Sequence, residues 1–172
     1  ELTLLGVGTL LYIFWLLVVK PRSKRSFMVA QAGVATLLGT WALFTVSFSW
    51  PVSLVVIAMW LIGYSAARHV LSTYDEETYT LFLSLVWGLI LAEIGWVAYH
   101  WTIAYSLPLT TSLLIPQVSI IGVLVGFLAY KCYDSFYHHQ KIRMADVILP
   151  LLFTISSILV LVIIFNRVGT AI

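Results

Sequence analysis

Long apolar runs alternate with short polar connections along the whole chain. Crossing a bilayer takes roughly 20 mainly apolar residues in a helix. Six stretches approach or reach that length, at 2–19, 27–47, 52–71, 79–99, 110–131 and 147–165. Each is expected to be helical, because bilayer hydrocarbon offers no partner to a free backbone N–H or C=O. The pattern predicts an all-α, polytopic membrane protein with six transmembrane helices in a single domain over residues 1–172. A weak internal similarity points to hairpin units. Residues 52–83 align without gaps on 118–149, pairing Val52 with Val118, Ser53 with Ser119, Tyr64 with Tyr130 and Leu83 with Leu149. Tyr12 of the first hairpin falls in the tyrosine column at another offset. The fold then reads as three weakly repeated helical hairpins, although unrelated membrane hairpins share much of this apolar character.

Composition agrees with the pattern. The 172 residues are 62% hydrophobic and 9% charged, with a mean hydropathy of +1.04, whereas a soluble domain is about one quarter charged. No basic stripe lies on a soluble face, so nucleic-acid binding has no support. The single cysteine, Cys132, excludes an intrachain disulfide and a cysteine-cluster metal site. The chain starts at Glu1 rather than Met, so upstream residues and a removed leader stay open.

The distribution of charge predicts an orientation. Lys20, Arg22, Lys24, Arg25, Arg68, Lys131, Lys141 and Arg143 fall on one side, and only Arg167 on the other. The positive-inside rule makes the basic side cytoplasmic, with both termini outside a plasma membrane. Trp41, Trp50, Trp96, Tyr99, Trp101 and Tyr105 ring the opposite side as an interfacial aromatic belt. The acidic run Asp75-Glu76-Glu77 opens the fourth span, where Thr73 and Glu76 fit a capping box, and Asp146 plays a similar part before the sixth. The basic loops also suit anionic headgroups.

Helix association in lipid needs close packing and hydrogen bonds. Gly122 and Gly126 form a GxxxG on the fifth span, with Gly88, Ala92 and Gly95 on the fourth and Ala32, Thr36 and Thr40 on the second. These stripes suit internal packing, a membrane-protein partner or a homo-oligomer. Arg68 and Asp134 occupy equivalent positions of the third and fifth spans, which predicts an ion pair if those helices are neighbours.

Glu93 is the leading candidate for chemistry, because a carboxylate inside a span is costly and marks either a site or a structural bond. At the helical rise it lies roughly 22 Å above the basic start of its span, just beneath the aromatic belt. Trp96 and His100 share its face. Pro116 and Gln117 fall at matching depth on the fifth span, where proline is expected to kink the helix and free the carbonyl of Ser112. Glu93, Gln117, Trp96, His100 and Thr40 then form a candidate polar pocket opening outward, with Trp101 framing it and Thr45 and Asn166 within reach. The plainer alternative is a structural interhelix hydrogen bond. Cys132, Asp134, His138 and His139, with His69, are a fainter metal candidate, against which stands the ordinary hydration of a helix end.

No zinc-protease, nucleophile-elbow or phosphate-loop motif is present, no mid-membrane lysine awaits a retinal, and no paired histidines await a haem. No cofactor is implied. Two functions lead: a small-molecule or ion binding or transport module around Glu93, and an accessory, assembly or sensor-anchor subunit acting through helix contacts; a lipid-active enzyme is a third reading, for which the sequence offers no catalytic pair. In size and helix count alone the chain resembles the substrate-binding subunits of energy-coupling-factor vitamin transporters.

Overall fold

The computed structural model describes residues 24–47, 49–74, 77–101, 104–107 and 110–163. The first apolar run, Asp75, Glu76, Asn166 and Arg167 lie outside the described residues. The described residues contain five helices, all long and apolar enough to span a membrane. They are α1 (Arg25–Val46), α2 (Val52–Leu71), α3 (Thr80–His100), α4 (Gln117–His139) and α5 (Met144–Ile163). One antiparallel hairpin, β1 (Ala104–Leu107) with β2 (Thr110–Pro116), connects α3 to α4. Six helices are therefore expected and five are described.

Local chemistry sets the helix ends. Pro51 directly precedes α2, where its fixed φ and missing N–H cost nothing. At the other end, the Ser72 and Thr73 hydroxyls donate to the carbonyls of His69 (2.9 Å) and Val70 (2.7 Å). Gln140 terminates α4 in the left-handed region, φ 53°, with its N–H donating to Phe136 O at 2.7 Å.

The fifth span departs from expectation. Residues 110–116 are strand rather than helix, and α4 runs on beyond 131 to His139. Pro116 stands immediately before the helix with ψ 134°, so it starts α4 instead of kinking it. Proline pushes the preceding Ile115 into extended conformation, and Thr110, Thr111 and Ile115 are β-branched and favour strand. Ser112 lies in β2, so no helical carbonyl is orphaned there. The Thr73–Glu76 capping box is not the start of α3 either. That helix begins at Thr80 without an acidic residue in its first turn, and the Thr73 hydroxyl is already bonded to Val70. Glu77 instead accepts the Tyr79 N–H at 2.7 Å. Asp146 does lie in the first turn of α5.

In space the helices follow the order α3, α2, α1, α4, α5, with α3 and α4 meeting only lightly. The closest seam is α2 against α3. A Cβ at Gly88 would lie 2.9 Å from the Trp60 carbonyl oxygen, and one at Gly63 would lie 3.1 Å from Gly88 Cα. A core of Leu43, Phe44, Val55, Met59 and Val118 joins α1, α2 and α4. Outward, the helices are apolar: Leu149 of α5 is 73% exposed and Phe82 of α3 is 63% exposed. Water would penalise such faces, whereas acyl chains match them. The chain is an all-α membrane protein in class, and its helices suit contact with a lipid bilayer.

Candidate functional site

Glu93 and Gln117, distant in sequence, line one cavity of about 450 Å³ between the adjoining ends of α3 and α4. Ile94, Val97, Ala98 and Trp101 complete the α3 wall, Val118 and Ile121 the α4 wall, and Val162 of α5 closes the far side. The cavity exists because the β-hairpin delivers the chain to Pro116, which fixes where α4 begins. Gln117 is then the first helical residue, and its side chain is only 8% exposed. Its amide Nε2 is fully buried and has no hydrogen-bond partner among the described residues. Leaving such a donor unpaired costs about 1–3 kcal/mol. A helix N-terminus also presents N–H groups that lack intrahelical acceptors, here on the first turn of α4. Donors therefore lie on the α4 side and a carboxylate on the α3 side, with apolar walls and an indole between.

Glu93 stands at the mouth of this cavity. It belongs to the outward stripe of α3 that includes Leu85, Leu89 and Val97, and it is exposed. The other residues expected in the pocket are placed elsewhere. Trp96 and His100 pack on each other at 4.8 Å between ring centroids, outside the cavity lining. The imidazole Nδ1 of His100 sits 2.9 Å from Trp96 O. Thr40 is wholly buried, and its hydroxyl donates back to Thr36 O at 2.7 Å, so it is a packing residue of α1. Thr45 likewise bonds its own helix, to Trp41 O.

At the opposite, basic end the predicted Arg68–Asp134 pair does not form. Helix α1 packs between α2 and α4, so the two residues belong to helices that are not among the closely packed pairs. Arg68 donates to the Tyr64 hydroxyl of its own helix at 3.1 Å. Asp134 instead gathers Arg25 Nη1 at 3.7 Å, the Tyr74 hydroxyl at 3.0 Å and His138 Nδ1 at 3.6 Å. Arg25 also stacks over the Tyr74 ring, 4.1 Å from its centroid. Tyr133 donates to Glu77. These contacts strap the α2–α3 connection across α4. Burial, and then the adjacent Asp134 carboxylate, hold the Tyr74 phenol well above its ordinary pKa, so it stays a donor. His69 meets Gln31 Oε1 at 3.2 Å, away from Asp134. No cluster of three or more metal-donor side chains occurs among the described residues.

The sequence reading missed the second buried orphan, the Ser119 hydroxyl, which is wholly buried without a partner among the described residues. It also missed Arg25, Tyr74 and Tyr133. Tyr133, with Tyr130 and Tyr137, gives a faint signal by recurring near Asp134, but nothing in the sequence shows that the loop carrying Tyr74 folds back to meet them. Gly122 and Gly126 border open space: a Cβ on either would have no neighbour nearer than 3.6 Å. Comparison of the chain with known family models, with curated proteins and with solved structures finds no match.

Proposed function

We propose that this chain is a membrane-embedded binding or transport module, and that its site is the cavity between Glu93 and Gln117. The reading is supported above all by the buried Gln117 amide, which lacks a partner among the described residues and lines the same cavity that Glu93 borders. A membrane protein gains nothing by leaving that donor empty unless something occupies it in use. The fitting ligand carries a cationic or hydrogen-donating group for Glu93 and an acceptor for the Gln117 amide. Its apolar body would lie against Trp101 and Ile121. In this reading the basic end is cytoplasmic, both termini are external, the site faces outward from a plasma membrane, and the chain is one domain.

The test is a titration of purified protein by tryptophan fluorescence with sodium, potassium and primary alkylammonium ions. A saturable change should appear, disappear in Trp101→Phe, and weaken on the order of tenfold in Glu93→Gln and Gln117→Leu. Gln117→Leu should at the same time raise thermal stability, since it removes an unpaired buried donor. Absence of any saturable response, together with unchanged behaviour of both variants, would overturn the reading.

An accessory-subunit role is the second reading. It rests on the uncovered apolar face of α5, where only Val147 and Thr154 are buried. A protein partner or second copy retained in gentle detergent, and lost when Leu149 and Phe153 are replaced by alanine, would favour it.

A further inference from the structure

We propose that a second cavity, in the basic half of the bundle, seats one hydrocarbon chain of an anionic phospholipid from the surrounding bilayer. This cavity encloses about 480 Å³ between α1, α2, α3 and α4, a volume typical of ligand sites, which run from about 300 to 1,000 Å³. Gly33, Ala67, Gly122 and Gly126 keep it open. At Gly126 the nearest atom to an added Cβ is Trp87 Cζ2 at 3.6 Å, and at Gly122 it is Thr36 Cγ2 at 3.8 Å. The small-residue stripe of α4 therefore does not bring two helices together; it makes room.

The lining decides the kind of occupant. The Thr36 hydroxyl is committed to Ala32 O at 2.8 Å, and the Tyr133 hydroxyl to Glu77. Water entering such a space would forfeit hydrogen bonds, and a polar ligand likewise. Left empty, the void would cost its lining atoms their dispersion contacts. Exposed Val34, Val86 and Phe127 stand among the lining residues, and α3 and α4 meet only lightly. The cavity thus opens onto the apolar flank, where acyl chains are the available solvent.

Charge selects the headgroup. Arg25, one turn before the lining residue Val29, is held by Asp134 and Tyr74. Lys24 beside it and Lys131 have no carboxylate within ion-pair distance among the described residues. The Lys131 ammonium lies 5.5 Å from the centre of the Tyr130 ring, itself part of the lining. Two cations at the basic end of an apolar slot suit a phosphate above a buried chain.

The experiment is native mass spectrometry of the full chain after equilibration with equimolar phosphatidylglycerol and phosphatidylcholine. A single retained phospholipid is expected, with phosphatidylglycerol favoured several-fold. Gly126→Leu, which fills the slot, should remain helical and lose the lipid. Lys24→Gln with Lys131→Gln should keep a lipid but lose the preference. Should Gly126→Leu fail to fold, a second measurement decides: phosphatidylglycerol with brominated chains should quench wild type more than Trp87→Phe at low lipid ratios. Failure to retain a lipid, equal retention by a folded Gly126→Leu, or no headgroup preference in wild type would overturn the proposal. So would efficient cross-linking, in a Cys132→Ser background, of Gly126→Cys to Leu11→Cys, since the slot would then belong to the chain's own first apolar run.

Discussion

Among the described helices, α3 packs against two, α2 and α4, and treats them differently. Against α2 it is closed to backbone contact, with Gly63, Gly88 and Gly95 each placed where an added Cβ would meet the partner helix at 2.9 Å or less. Against α4 it stands off, and both cavities lie along that seam. Small residues occur on both sides, so their presence does not decide closeness. The α2–α3 seam is closed because bulky partners fit the gaps: Met59 lies over Gly95, and Leu91 over Gly63. Across the α3–α4 seam Gly126 meets only the far edge of Trp87. One seam carries stability, and the other carries space.

Substitutions break that comparison in order of expected size. Gly88→Leu should abolish folding, because the backbone oxygen of Trp60 cannot move aside, and the cost should exceed the about 1–3 kcal/mol usual for overpacking. Gly126→Leu on the open seam should leave the fold intact, as circular dichroism and thermal unfolding in detergent would show. Comparable losses from both would erase the distinction. Next in size, Met59→Ala should lower stability by about 2–5 kcal/mol, since Met59 is wholly buried against Gly95. Denaturant unfolding would measure it.

The strap at the basic end comes third. Tyr74→Phe removes the hydroxyl that reaches Asp134 and should cost about 1 kcal/mol. The same bond predicts a pH dependence. The folded pKa of Tyr74 lies above its unfolded value of about 10, so the folded state holds this proton more tightly. Its contribution is full below that unfolded value and declines as pH rises above it. Tyr74→Phe should flatten the alkaline decline of stability; an unchanged slope would assign the decline to other groups. The smallest effect is expected of Ser119→Ala, which removes a buried hydroxyl without a partner and should be neutral or stabilising by less than about 1 kcal/mol. A clear loss of stability would mean that Ser119 has a partner in use.

Much of this arrangement was legible in the residues. The apolar runs gave the spans, and the depth argument put Glu93 level with Gln117. What misled was the apolar stretch at 110–116, whose hydropathy suits a span but whose β-branched residues and closing proline favour a strand. Hydropathy counts apolar side chains and is indifferent to backbone conformation, so the span expected at 110–131 starts earlier and stops sooner than α4 does. Depth alone points Thr40 to the pocket, and helical spacing from Glu93 points Trp96 and His100 there. Depth fixes height but not direction, and Thr40 turns inward; a shared helix face is wider than a cavity mouth, and Trp96 and His100 stack on each other outside the lining.

The sequence by itself determined the membrane class, the helical nature of the described spans and the clustering of cations toward one end. Those follow from local properties, namely the length of apolar runs and the solvation of charge. Only the tertiary structure decided which helices touch. Arg68 and Asp134 stand at equivalent positions of their spans yet are parted by α1, while Arg25 and Tyr74, remote from Asp134 in sequence, meet it. Helix neighbours are chosen by how side chains interlock across whole faces, as Met59 and Gly95 do. No single run of letters contains both halves of such a fit.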